Sequence, residues 1–126
     1  MIKRKAAALA VLAALSAPAL AQSGWAQVGH STAAGSQDKT MMTPTLDPRY
    51  REGMICVDGH VIRLTEATLH FEGGTSRSVR LGARVTDGGC SRSFTFGSRS
   101  RIERIEVGYD PATLNGNSAQ VQLYAR

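Results

Sequence analysis

The chain is short of cysteine, of aromatic residues and of long hydrophobic runs. Its 126 residues include two cysteines, and Phe, Tyr and Trp make up 6% of them. The longest apolar run, residues 6–15, is shorter than the roughly 20 residues of a membrane-spanning helix, so no transmembrane insertion is expected. No segment has the G-x-S-x-G pattern of a hydrolase nucleophile, and we assign no catalytic residue.

The first 21 residues have the pattern of a bacterial secretory signal peptide. Residues 1–5 form a basic segment, residues 6–15 are apolar, and Ala19-Leu20-Ala21 is an A-x-A cleavage site before Gln22. We therefore expect a mature product that begins at Gln22 and is periplasmic or secreted.

Basic residues are unevenly distributed once this leader is set aside. Of the 15 Lys and Arg residues, Lys3, Arg4 and Lys5 lie in the leader, which leaves 12 against 10 acidic residues. Seven arginines then share one stretch with two acids, Asp87 and Glu103. These arginines are Arg77, Arg80, Arg84, Arg92, Arg99, Arg101 and Arg104.

The two cysteines, Cys56 and Cys90, are expected to form a disulfide. An exported chain folds in an oxidising compartment, and an even number of cysteines leaves each one with a partner. The alternative is a reactive thiol at Cys56 beside His60, which would need a reason for the two sulfurs not to pair.

Composition divides the exported part of the chain at about residue 48. Residues 22–47 are rich in Ser, Gly, Gln, Thr and Ala and lack apolar periodicity, so they are predicted to form a flexible tether. Trp25, Met41 and Met42 are the largest apolar side chains of this segment, and docking onto a partner is the alternative to an unordered tail. Residues 48–126 are predicted to form the folded domain.

From residue 48 onward, apolar residues recur with a period of two, as they do in half-buried strands. The pattern appears in residues 93–96, 104–109 and 119–124. In residues 61–71 the phase changes between Leu64 and Ala67, and a bulge near Thr65-Glu66 would reconcile the two halves. The clearest strand, residues 78–85, has Arg80 and Arg84 on one face and Val79, Leu81, Ala83 and Val85 on the other.

Turn signals separate these strands. Asp58-Gly59, Gly73-Gly74, Gly88-Gly89 and Asn115-Gly116 have the composition of hairpin turns. No window shows helical spacing. The sequence therefore predicts an all-β domain, a small antiparallel β-sandwich or partly open barrel of about six to seven strands.

Four segments of this domain form a distinctive series. They are Val61-Ile62-Arg63-Leu64, Leu69-His70-Phe71-Glu72-Gly73-Gly74, Arg101-Ile102-Glu103-Arg104-Ile105 followed by Tyr109-Asp110, and Val121-Gln122-Leu123-Tyr124. The series resembles an uncharacterised family of small secreted bacterial β-sandwich domains. The resemblance covers about residues 55–126, is most distinctive in residues 101–110, and implies the fold without implying an activity or any functional residue.

Candidate metal and catalytic groups are few. Asp58, His60 and His70 supply suitable ligand types, but the third histidine, His30, lies in the predicted tether, so we expect no metal and no cofactor. We also expect no enzyme activity. A small hydrolase remains an alternative, and it would require Asp58, His60, His70 or Asp87 to converge in a cleft.

The arginines are the best candidates for a binding site, because guanidinium groups bind phosphate and carboxylate groups through paired hydrogen bonds. The alternative is that they are solubilising residues, paired across strands with Glu103, Glu106 and Asp87. Nucleic acid is not expected as a partner, since Phe94 and Phe96 share a buried phase and Tyr124 is the clearest outward ring. The candidate anion-binding residues are Arg80, Arg84, Arg92, Arg99, Arg101 and Arg104.

These features favour an exported binding or structural module of the cell envelope that recognises an anionic glycan, lipid or protein. An inhibitor of a secreted hydrolase is the first alternative, with the loop at residues 111–118 as the segment that would enter a cleft. A small hydrolase is the second.

Overall fold

The computed structural model describes residues 24–97 and 101–126, and these form eight strands and one 3-10 helix. The predicted leader, residues 1–21, and Arg99 lie outside them. Within this part of the chain, no helix has the length and apolarity to cross a bilayer. The elements are β1 (Ala26–Ala34), β2 (Lys39–Met42), β3 (Glu52–Asp58), β4 (Ile62–Phe71), β5 (Ser76–Val85), β6 (Phe94–Thr95), β7 (Ile102–Asp110), the 3-10 helix Pro111–Leu114, and β8 (Ser118–Ala125).

The strands form two antiparallel four-stranded sheets. The first sheet has the order β1-β8-β3-β6 and the second has the order β2-β7-β4-β5. Buried side chains from both sheets make one hydrophobic core. The predicted all-β sandwich is therefore confirmed, with eight strands in the described residues rather than six or seven. In the described residues the two sheets do not close into a barrel.

The predicted bulge in β4 is present. Leu64 and Ala67 are both fully buried, whereas Thr65 and Glu66 between them are both exposed. The register against both neighbouring strands shifts between Leu64 and Glu66. Against β7, Thr65 is an extra residue in β4. It allows this strand of ten residues to bury apolar side chains along its whole length despite the change of phase.

Two glycines accommodate the bulge. At Gly108 of β7, a Cβ atom would lie 2.7 Å from Thr65 Oγ1. Gly82 of β5, on the other side of β4, has a φ of +52°, in the left-handed region that favours glycine. A side chain at either position would disturb the pairing of β4 with a neighbour.

The prediction of a flexible tether at residues 22–47 is wrong for the part that the structure describes. β1 pairs with β8 and β2 pairs with β7, so the sandwich begins near residue 26 and not at residue 48. The physical reason is that β1 lies at a sheet edge and contributes one buried side chain, Ala33. Such a strand is held mainly by backbone hydrogen bonds, which leave no apolar alternation in the sequence.

A small apolar cluster stands apart from the main core and contains Trp25, Cys56 and Tyr124, with Met54 packed against them. Trp25 is 9% exposed and Tyr124 is 8% exposed. The Arg126 guanidinium carbon lies 4.4 Å from the centroid of the Trp25 ring. Trp25 therefore belongs to the folded domain and not to an unordered tail. Tyr124, the clearest outward ring in the sequence, is buried because it packs with Trp25.

The predicted disulfide joins Cys56 of β3 to Cys90, which precedes β6. The two residues are antiparallel partners, and the neighbouring Val57 N–H donates to the Gly89 carbonyl at 2.9 Å. The cysteines thus occupy a non-hydrogen-bonded position, where side chains of adjacent strands lie closest together. The alternative of a reactive thiol is wrong, because the described residues contain no free cysteine.

Removal of this disulfide should lower the free energy of unfolding by about 3 to 4 kcal/mol, because the bond constrains the unfolded chain. The variant is Cys56→Ser with Cys90→Ser, and urea unfolding provides the measurement. The wild-type protein in excess dithiothreitol should match the variant. Equal urea midpoints for the oxidised protein and the variant would contradict the prediction.

Trp25→Ala should lower the free energy of unfolding by about 2 to 4 kcal/mol, because the ring packs against Cys56 and Tyr124. Met41→Ala is the matched control, since Met41 is 46% exposed, and it should change this free energy by less than about 0.5 kcal/mol. Thermal or urea unfolding followed by circular dichroism compares the two. Small and equal effects would mean that residue 25 does not pack on the sheet.

Candidate anion-binding face

The outer face of the second sheet is built from cross-strand rows of charged and polar side chains. At one end, Arg63 of β4 lies between Arg84 of β5 and Asp110 of β7. In the next row, Arg80 of β5 is opposite Glu66 of β4. About 20 Å away along β4, His70 is opposite Arg104. The predicted arginines of this face are therefore divided between its two ends.

Arg63, Arg80 and Arg84, here called the arginine cluster, are all exposed. Arg63 and Arg84 are direct cross-strand partners, a position in which Cβ atoms lie about 5 Å apart. Arg80 is on the same strand as Arg84, on the other side of Gly82. Three guanidinium groups are thus within reach of a single extended anion.

The arginine cluster has no acidic partner in the described part of the chain, which includes all ten Asp and Glu residues. None of its guanidinium groups lies within 4.0 Å of a carboxylate oxygen. Like charges placed directly opposite each other destabilise a sheet. The cluster therefore retains both its positive charge and its capacity to donate hydrogen bonds.

Two of the three carboxylates expected to pair with arginines have other partners. Glu106 lies 3.3 Å from Lys39 Nζ and 3.2 Å from His70 Nε2. Asp87 accepts a hydrogen bond from the Gly59 N–H at 2.8 Å. Asp110, which is in register with Arg63, accepts from the Ala112 N–H at 3.1 Å and so caps the 3-10 helix. Within residues 24–97 and 101–126, none of the predicted ion pairs of Glu103, Glu106 or Asp87 with an arginine forms.

Two further groups border the arginine cluster. Glu66 is exposed and in register with Arg80, but it forms no ion pair in residues 24–97 or 101–126. Thr65 is also exposed, and its hydroxyl lies over Gly108. The three arginines outnumber the two acids in register with them, Glu66 and Asp110, and the hydroxyl can donate to an anion that they hold.

Arg92, a predicted site residue, has a structural contact instead. Its guanidinium group donates to the carbonyl of Arg80 on the free edge of β5. Arg77 makes a similar contact from the other direction and donates to the carbonyls of Thr95 and Phe96 at 2.6 and 2.7 Å. These two arginines connect the edge of the second sheet to the edge of the first. The assignment of Arg92 to a shared anion-binding patch is therefore not supported by its geometry.

The remaining predicted arginines are dispersed. Arg104 lies at the far end of the face, next to His70. Arg101 precedes β7 and lines a groove beside β6. Arg99 lies outside the described residues. Of the six predicted residues, the structure brings Arg80 and Arg84 onto one face, and Arg92 contacts the backbone of Arg80 from the edge of the sheet.

Sequence reasoning missed Arg63, because its cross-strand partner depends on a register shift. Near the turn the β4–β5 hairpin is centred on Gly73, with His70 opposite Ser76. Continued without a shift, this register would place Arg63 opposite Ala83. The shift between Leu64 and Glu66 brings Arg63 opposite Arg84 instead, and no local pattern in the sequence gives its direction.

The candidate catalytic and metal-binding groups do not form one site. His60 precedes β4 and His70 lies near the other end of that strand, about 30 Å away for an extended chain. His60 Nδ1 contacts the Val61 carbonyl at 2.7 Å. The Asp87 carboxylate accepts a hydrogen bond from the Gly59 N–H. Within the described residues, no three His, Cys, Asp or Glu side chains form a group that could hold a metal ion.

The loop at residues 111–118 is partly folded onto the domain. Pro111–Leu114 form the 3-10 helix, and Leu114 is fully buried. The Thr113 hydroxyl accepts from the Arg63 N–H at 3.1 Å, which attaches the loop to β4. Only residues 115–118 are exposed throughout. This leaves a short segment for insertion into the cleft of another protein.

The contacts of Glu106 predict a pH dependence of stability. The His70 hydrogen bond, with a further contribution from Lys39, lowers the pKa of Glu106 below its ordinary value of 4.5. A carboxylate of lowered pKa stabilises the fold above its unfolded-state pKa, and the contribution is lost as pH falls through the folded-state pKa. The advantage of the wild type over Glu106→Gln should therefore shrink as pH falls below 4.5.

Urea unfolding at a series of pH values measures this effect, which should stay below about 1 kcal/mol because the pair is near the surface. His70→Gln removes the first cause of the lowered pKa and should reproduce part of the loss. Parallel stability profiles for the wild type and Glu106→Gln would contradict the assignment.

Comparison with known proteins gives a family but no activity. No curated protein matches the chain. A family model described as Domain of unknown function (DUF2541) matches residues 6–125. The distinctive segment at 101–110 owes its pattern to packing, since Ile102, Ile105 and Tyr109 are buried and Asp110 caps the 3-10 helix. With a match over nearly its whole length, the chain belongs to the DUF2541 family.

Proposed function

We propose that this protein is an exported binding domain that recognises an anionic glycan of the cell envelope through Arg63, Arg80 and Arg84. The observation that carries the proposal is the absence of a carboxylate within 4.0 Å of any of these three guanidinium groups, in a described region that holds every acid of the chain. A bound anion would offset the repulsion between Arg63 and Arg84 and thereby stabilise the fold.

The shape of the face favours a polymer over an enclosed small molecule. The arginine cluster lies on exposed strands, and its three guanidinium groups are distributed over two rows of the sheet. Phosphate, sulfate or carboxylate groups repeated along a glycan could occupy these positions in turn. Because these arginines are exposed, each contact with an anionic group would contribute up to about 1 kcal/mol, and several contacts would add up along a polymer.

Two features support an extracytoplasmic location. The disulfide between Cys56 and Cys90 is of a kind that persists in oxidising compartments. Residues 1–21 have the signal-peptide pattern, which would deliver the domain to the periplasm or the medium. We propose binding rather than catalysis, because His70 lies at the far end of β4 from His60 and Asp87, and it contacts Glu106.

Retention on immobilised heparin, a sulfated glycan, tests the proposal. Arg80→Ala with Arg84→Ala should weaken binding at least about tenfold and reduce its dependence on salt, because two charged donors are lost. Arg49→Ala with Arg104→Ala removes the same charge outside the cluster and should have a much smaller effect. Glu66→Gln removes the adjacent negative charge and should strengthen retention.

Equal losses for the two double variants would contradict the proposal, because they would show dependence on net charge alone. Salt-insensitive retention would contradict it as well. Vesicles with anionic lipid headgroups form a second arm. Tighter binding to vesicles than to heparin would identify a lipid surface and overturn the assignment to a glycan.

A further inference from the structure

A groove beside β6 is separate from the arginine cluster and has a different character. It has a volume of about 910 Å³ and lies between residues 46–51, the end of β6 and the start of β7. This volume is within the range of sites that hold small organic ligands. The lining residues are Leu46, Asp47, Pro48, Tyr50, Arg51, Thr95, Phe96, Gly97, Arg101 and Ile102.

The floor of the groove is apolar. Phe96 is 6% exposed and Ile102 is 8% exposed, so both belong mainly to the core and show one side to the groove. Leu46 and Tyr50 are half-buried and pack against the same core. An apolar chain or ring placed here would cover carbon surface that water now contacts, which favours binding.

Backbone hydrogen bonds hold the walls of the groove. The Phe96 N–H donates to the Arg51 carbonyl at 2.9 Å, and Arg77 donates to the Phe96 carbonyl at 2.7 Å. On the other wall, the Glu72 N–H donates to the Arg101 carbonyl at 2.7 Å. A ligand would therefore enter a largely preformed site and would lose little affinity to ordering of the protein.

The rim of the groove is positively charged. Arg51 and Arg101 are exposed and form no ion pair in the described part of the chain. The only acid of the lining, Asp47, accepts hydrogen bonds from Arg49 Nε at 3.0 Å and Arg49 Nη2 at 2.8 Å. These hydrogen bonds lower the pKa of Asp47 to about 2. Arg49 thus neutralises Asp47 at ordinary pH and leaves two uncompensated guanidinium groups.

We propose that this groove binds a small amphipathic anion, with its acidic head between Arg51 and Arg101 and its apolar part on Leu46, Tyr50 and Phe96. The charge of the rim selects an acid over a neutral or cationic amphiphile. The apolar floor selects an amphiphile over a simple salt. The site uses none of the residues of the arginine cluster, so the two binding activities are independent.

Isothermal titration calorimetry with dodecanoate, below its critical micelle concentration, tests this inference. Dodecanoate should bind with one-to-one stoichiometry, whereas acetate and dodecyltrimethylammonium should bind at least about tenfold more weakly. Arg51→Ala with Arg101→Ala should weaken dodecanoate binding at least about tenfold, through loss of two charged donors. Leu46→Ala should weaken binding while retaining the preference for the anion.

The double variant Arg80→Ala with Arg84→Ala is the matched control, since it removes the same charge elsewhere and should leave dodecanoate binding unchanged. Circular dichroism confirms that each variant is folded. Equal binding of the anionic and cationic amphiphiles would overturn the inference. So would unchanged dodecanoate binding by Arg51→Ala with Arg101→Ala, or a loss of binding with the control variant. None of these results depends on heparin retention, so the two proposals can fail separately.

Discussion

One extra residue in β4 decides which side chains of the second sheet face water. The bulge at Thr65 reverses the phase of the strand, so that Leu64 and Ala67 are both buried. On the side of β5 the extra residue belongs to β5, where Leu81 and Gly82 face Thr65, and this shift places Arg63 opposite Arg84. Gly108 and Gly82 make the bulge possible, one by leaving space for Thr65 and the other by its positive φ. The exposed arginine cluster therefore follows from the same register that builds the core.

The sequence was sufficient for the fold where apolar alternation is strong. The core strands and the bulge near Thr65 follow from local patterns, and the disulfide between Cys56 and Cys90 follows from the expected export and the even number of cysteines. β1 could not be found in this way, because an edge strand with Ala33 as its one buried side chain has the composition of a linker. Trp25 was the remaining clue, and its contacts with Cys56 and Tyr124 become visible only in three dimensions.

The candidate site was predicted less completely, since exposed arginines look alike in a sequence. Arg80 and Arg84 were identified correctly as outward-facing. Arg92 differs from them because its guanidinium group contacts a backbone carbonyl on the edge of β5. Whether an arginine has an acidic partner depends on the position of each carboxylate, and Glu106 and Asp87 are held by groups that are distant in sequence. The groove at Arg51 and Arg101 likewise joins segments about 50 residues apart.

The central claim is that the arginine cluster is free to bind anions whereas Arg77 and Arg92 are engaged. Side-chain Nε–Hε resonances of arginine, recorded during titration with a sulfated oligosaccharide at constant ionic strength, test it most directly. We expect shifts for Arg63, Arg80 and Arg84, with little change for Arg77 and Arg92. Shifts distributed evenly over all exposed arginines, or absent from these three, would contradict it.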